Sequence, residues 1–189
     1  PLVAGNRLTG NQINGIEVRG GTLTTESVWD DTDIVHVLRD TIVVPNFHAF
    51  GGLRLESSAD ESLVVKLRSQ DPGGNDSNLP DRGGFTASGS PSDISDRIGG
   101  RLHVIGQPDR PVVLTSFSDD SVGAGIDPEG RPQNDTNGDG LSMPATPGEG
   151  DLTLLPGAGP LTVNSVSSNG NLLRDSLVGE GITTIGNAV

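Results

Sequence analysis

Two stretches, LRLESSADESLVVKL (residues 53–67) and LHVIGQPDRPVVLTS (residues 102–116), align without a gap. Leu53 matches Leu102, Leu55 matches Val104, and Leu63, Val64 and Val65 match Val112, Val113 and Leu114. Each block reads as a strand, a polar turn and a second strand, with aliphatic and β-branched residues on either side of the turn. Glycines precede both blocks, in FGG (50–52) and IGGR (98–101). One structural unit used twice, too small to bury its own apolar face, is the signature of a solenoid. The predicted class is therefore all-β, with strand units stacked on one another; a β-sandwich of unrelated short strands is the competing architecture.

The rest of the chain fits repeated short strands. DIVHVL (33–38), TIVV (41–44) and RLHVIG (101–106) are strand-sized and β-branched, and helical periodicity is nearly absent through the first 160 residues. The N-terminal AGNRLTGNQINGIEVRGG (4–21) repeats Gly-Asn at 5–6 and 10–11. Asn and Gly tolerate left-handed backbone geometry, so they mark corners, and Leu8, Ile13, Ile16 and Val18 are expected to point inward. Aromatics are 3% of residues and Tyr is absent, which leaves Val, Ile and Leu to build the core. The 28 Gly and 13 Pro predict many turns.

Charge excludes one class of function. With 25 acidic residues against 12 basic ones the formal charge is −13, and a single lysine, Lys66, is present. Such a surface repels phosphate backbones, so no nucleic-acid partner is expected, while divalent cations would relieve the self-repulsion. The lack of cysteine removes disulfides, thiolate metal sites and cysteine nucleophiles. No apolar run approaches the roughly 18 residues that span a bilayer, so no membrane insertion is expected. The start at Pro1 rather than Met points to a processed product or a fragment of a longer protein, with a removed export signal as one route.

The phrases GNQINGIEVRGG (10–21) and GGRLHVIGQPDRPVVLTSFSDDSVG (99–123) resemble the coils and Asp-rich loops of right-handed parallel β-helix proteins, the pectate-lyase-like superfamily, and above all the non-enzymatic repeats of large bacterial secreted or surface proteins. The resemblance covers residues 1–150. It implies a right-handed parallel β-helix over residues 1–165, with loop insertions at 68–84 and 117–151 and a C-terminal linker or strand extension at 166–189. It also implies an extracellular or cell-surface location. The same architecture carries lyases, hydrolases, adhesins and inert stalks, so it does not by itself define a function.

The second insertion contains QNDTNGDG (133–140), in which Asp135, Asn137 and Asp139 alternate before Gly140. Calcium takes six to eight hard oxygen ligands, which suits carboxylates and carbonyls alternating along a tight turn. The Glu that closes an EF-hand is absent, its place being taken by Thr146. The missing ligands must come from elsewhere, and Asp119, Asp120 and Asp127 of the same insertion are the available donors. The expected calcium set is Asp119, Asp120, Asp135, Asn137 and Asp139; the competing reading is a solvated polar turn.

No catalytic constellation emerges, and the chain is not expected to be an enzyme. SDDS (118–121) faintly matches the paired aspartates of β-helix hydrolases, but no His follows His103, and Arg131 and Arg174 are the only arginines after Asp120. His36, His48 and His103 lack the close spacing of a zinc motif. His36 and His103 alternate with apolar neighbours, which predicts outward-facing strand positions. Trp29, in the acidic WDDTD (29–33), reads as an anchor packing a corner rather than a sugar-stacking platform.

After PGEGDLTLLPGAGPLTV (147–163) the pattern changes. Leu172, Leu173, Leu177 and Val178 would form a short helical face, followed by a strand-like GITTIG (181–186). This tail resembles the opening of a domain found near anchoring regions of bacterial surface proteins. A solenoid has two open ends that need caps or neighbours. The expected partners are copies of this chain or adjacent modules of a larger protein, with surface polysaccharide as a further candidate, and the expected role is a structural or adhesive one. A carbohydrate-binding or carbohydrate-processing β-helix is the alternative.

Overall fold

The computed structural model describes residues 5–45, 52–68, 83–87 and 101–140, together with the strand backbone at 151–154, 161–164, 166–168, 177–178 and 182–184. These residues form strands and irregular segments with no helix among them. In chain order the strands fall into five tiers of three. The first tier is β1 (Ile16–Val18), β2 (Gly21–Thr22) and β3 (Ser27–Trp29), and the second β4 (His36–Leu38), β5 (Thr41–Val44) and β6 (Leu53–Glu56). The third is β7 (Val64–Leu67), β8 (Gly84–Ala87) and β9 (Leu102–Ile105), and the fourth β10 (Val112–Ser116), β11 (Asp151–Leu154) and β12 (Leu161–Asn164). The fifth is β13 (Val166–Ser168), β14 (Leu177–Val178) and β15 (Ile182–Thr184).

Each strand pairs in parallel with the strand three places later, which gives three five-stranded sheets: β1-β4-β7-β10-β13, β2-β5-β8-β11-β14 and β3-β6-β9-β12-β15. This is an all-β, parallel architecture compatible with a parallel β-helix. The repeat seen in the sequence is the register of the sheets. Leu53 lies opposite Leu102 and Leu55 opposite Val104, while Val64 and Val65 lie opposite Val113 and Leu114.

The polar turns inside the two repeat blocks also stack. Ser57 accepts the Gln107 N–H at 2.8 Å through its hydroxyl, which donates to the Arg110 carbonyl at 2.5 Å. The Arg110 guanidinium in turn donates to the Asp60 carbonyl at 2.7 Å. Asp109, at φ 59°, makes the tight corner after Pro108, a left-handed position that Asp tolerates through its short polar side chain.

One face of each sheet meets the others in a single core. Leu38, Leu67 and Leu114 come from the first sheet, Ile42, Val44, Phe85 and Ala87 from the second, and Leu53, Leu55, Leu102 and Val104 from the third. Trp29 packs against this core, as expected of an anchor, with its ring 5.9 Å from Phe85.

The sheets differ on their outer faces. β6 and β9 alternate buried and half-buried residues, so the third sheet has one dry face and one wet one. β4, β7 and β10 are buried at every position. Their outward Val37, Val64 and Val113, with Val35 just before β4, form a second apolar cluster, covered by Phe117, Val122 and Ala124 from the segment that follows β10.

That double burial corrects two expectations. His36 faces inward: it lies opposite Val65 and stacks on Trp29 at 5.3 Å and 13°. Alternation with valines does not mark an outward residue when valines are wanted on both faces. Ile13 packs on the outer cluster rather than inside. His103 faces outward as predicted, half-buried between Leu102 and Val104.

The tail also differs from expectation where it is described. Leu177 and Val178 form β14 and pair with Leu152 and Thr153, a strand rather than a helical face. GITTIG contains the predicted strand, β15, opposite β12. Leu172 and Leu173, residues 69–82 of the first insertion, and His48 lie outside the described residues.

Candidate metal centre

Residues 117–140 leave β10 and run back as a strap over the outer face of the first sheet. Asp119 starts the strap. Its side chain is fully buried and its carboxylate accepts hydrogen bonds from the Thr115 hydroxyl at 2.6 Å, the Ser121 N–H at 2.9 Å and the Ser121 hydroxyl at 2.6 Å. These bonds turn the chain away from the strand end and use the oxygens a cation would need. The strap then doubles on itself at Gly123, where a Cβ would collide with the Gln133 carbonyl, so no larger residue fits without moving the backbone.

Beneath the strap lies Lys66, 0% exposed on the outward side of β7. Its ammonium donates to the Asp119 carbonyl at 2.6 Å and the Asn134 carbonyl at 3.0 Å. Burial pulls the amine down to about 8, against the opposing pull of Asp120 and then Asp119, Asp135 and Asp139. Lys66 is the residue beneath the aspartate group whose burial sequence reasoning missed. The available signal was a lone lysine inside the apolar run LVVKL, where a charge is retained only if it has partners.

Above Lys66 the strap brings together three of the five predicted ligands: oxygens of Asp120, Asp135 and Asp139 lie within 4.8 Å of one another. Asp120 is buried and Asp139 exposed, so the group opens to solvent on one side. QNDTNGDG is shaped locally as expected of a tight turn, with Asp135 accepting from the Gly138 N–H at 2.8 Å and the Gly140 N–H at 3.2 Å. Asn137 sits beside the group and donates to Asp139 at 2.7 Å. Asp119 does not join it.

Asp127, the other donor considered, binds Arg131 instead, through the backbone N–H at 2.8 Å and the guanidinium at 2.8 Å. Burial pushes its carboxyl up, but those bonds and the Arg131 charge outweigh this and hold it below the ordinary carboxylate range. The three-aspartate group is chemically suited to a hard divalent cation: it supplies anionic oxygens, with backbone carbonyls and water able to complete six to eight ligands.

Two other surfaces bear on ligand binding. A polar cleft of about 480 Å³ separates residues 9–14 from the strap, with Asn11, Asn14, Gln133 and Asp135 among its walls. On the third sheet, Arg54 lies opposite His103 and pairs with Glu56. Burial, then Arg101 and Arg54, lower the His103 pKa. Among the described outer residues of β3, β6 and β9 the His103 imidazole is the ring present, because Trp29 turns inward. No helix among the described residues is long and apolar enough to cross a membrane. No family model, curated protein or solved structure matches this chain.

Proposed function

We propose that this protein is a structural or adhesive module of an extracellular bacterial surface assembly, built as a right-handed parallel β-helix whose role is shape, spacing and association. The observation that carries the reading is the pairing of every strand with the strand three places on, around one shared core. Such an array grows by adding tiers, and its edge strands, β1 to β3 on one side and β13 to β15 on the other, carry backbone groups suited to pairing with a copy or a neighbouring module. Deletion of residues 169–189 is expected to abolish assembly; an unchanged oligomeric state in light scattering would overturn this part of the proposal.

Calcium is proposed to bind at Asp120, Asp135 and Asp139, with Asn137 beside them, and to hold the strap rather than perform chemistry. Titration of calcium into chelator-treated protein should give binding heat and a raised Tm. Asp135→Asn and Asp139→Asn should weaken both responses. Asp119→Asn should instead lower Tm without calcium, because it disturbs the bonds from Thr115 and Ser121. Absence of heat and of any thermal shift in the wild-type chain would remove calcium from the proposal.

A carbohydrate-binding or carbohydrate-processing role is the second reading, favoured by the polar cleft beside the strap. Incubation with acidic polysaccharides, followed for unsaturated or reducing ends and for retention on the polymer, separates it from the first.

A further inference from the structure

The strap does more than cover valines. Among the described residues, every strand pairing joins adjacent tiers, as in any stacked array. In such an array stability is close to a sum of nearest-neighbour terms, and outer tiers open before inner ones. The strap breaks that locality. It is tied to the fourth tier where Thr115 holds Asp119, and to the third where Lys66 holds the Asp119 and Asn134 carbonyls. Its apolar residues pack on the outer cluster to which the second tier contributes Val35 and Val37.

The same segment then reaches the chain that enters the first tier. The buried Asn14 donates its side-chain amide to the Asp135 carbonyl at 3.0 Å and its backbone N–H to the Thr136 carbonyl at 2.8 Å. Arg7 donates to the Pro128 carbonyl at 3.1 Å, and Arg7 and Ile126 form an isolated parallel bridge. Buried polar groups in these contacts would lose their partners if the first tier opened alone.

We propose that residues 117–140 act as a longitudinal staple that makes the first four tiers unfold as one cooperative unit, independently of any bound cation and of any assembly of the chain. The single Trp makes this measurable. Trp29 sits in β3 of the first tier, so its fluorescence reports opening there, whereas far-UV circular dichroism reports strands throughout.

The experiment is urea unfolding of the full chain at pH 7 with chelator present, followed by both signals. In the wild type the Trp29 curve should not precede the dichroism curve, which also reports the fifth tier outside the stapled unit. Asn14→Ala, which removes the side-chain bond to the Asp135 carbonyl and weakens the first-tier tie, should move the Trp29 curve to lower urea than the dichroism curve, with midpoints about 0.5 M apart. Lys66→Met, which cuts the third-tier tie, should separate them in the same direction, so the test survives if either variant fails to fold. A Trp29 curve that already precedes the dichroism curve in the wild type would overturn the proposal. So would a Trp29 curve that still does not precede it in a folded variant while both shift together.

Discussion

Lys66 permits a test in which a single buried proton is read as stability. The wild type and Lys66→Met are compared across pH, so that the other titrating groups cancel. In the folded chain the amine is fully buried and releases its proton near pH 8, against 10.5 for an ordinary lysine. Below about pH 8 both folded and unfolded chains hold the proton, and this group contributes no pH dependence. Between about 8 and 10.5 the unfolded chain still holds it while the folded chain has released it, so stability rises with pH.

At 1.36 kcal/mol per pH unit of displacement, the gap amounts to about 3 kcal/mol. The neutral amine retains two N–H groups, enough for the Asp119 and Asn134 carbonyls, so deprotonation relieves the buried charge without stripping the strap of both bonds. The assay is urea denaturation by circular dichroism from pH 7 to 10.5 at constant ionic strength, read in Lys66→Met at the main transition that follows the earlier opening around Trp29. Wild-type stability minus that of Lys66→Met should climb by about 3 kcal/mol over that range. A flat difference would refute the reasoning, since it would mean that the amine is hydrated and that the strap does not seal it. A falling difference would mean that the surrounding aspartates outweigh burial.

Two further perturbations test other parts of the fold. Burial lowers the His36 pKa, with Asp31 opposing, so the unfolded chain takes up this proton first as pH falls below about 6.5, and stability should be lost there. His36→Gln should flatten that acid limb in thermal melts, and an unchanged limb would place its origin elsewhere. Gly123→Ala should cost about 2–4 kcal/mol, because the new Cβ meets the Gln133 carbonyl and the strap must part from itself. For a chain of this size that is a drop in Tm of several degrees, readable by calorimetry.

Strand identity and register are legible in the amino-acid sequence because they rest on local pattern and repetition. The gapless match of residues 53–67 with 102–116 reproduces the pairing of β6 with β9 and of β7 with β10. The turn geometry of QNDTNGDG is legible for the same reason, since Asp135 satisfies N–H groups only three and five residues away. The grouping of Asp120 with Asp135 and Asp139 has no such local cause. It depends on the strap folding back across a sheet. Asp119, adjacent in sequence to Asp120, is diverted to Thr115 and Ser121 by the turn that follows β10.

The contrast between LRLE (53–56) and LVVKL (63–67) marks the division. Alternation in the first specifies one dry and one wet face. The run of three consecutive apolar residues in the second, broken only by Lys66, implies a strand covered on both sides without naming what covers it. The amino-acid sequence by itself showed a strand–turn–strand unit used twice and the register in which its two copies pair, because the apolar residues of 53–67 and 102–116 recur at matching positions. The tertiary structure alone decided which face His36 occupies, why the single lysine is buried, and that one loop spans four tiers. Those outcomes depend on contacts between residues as far as 121 positions apart, whose pairing no local pattern encodes.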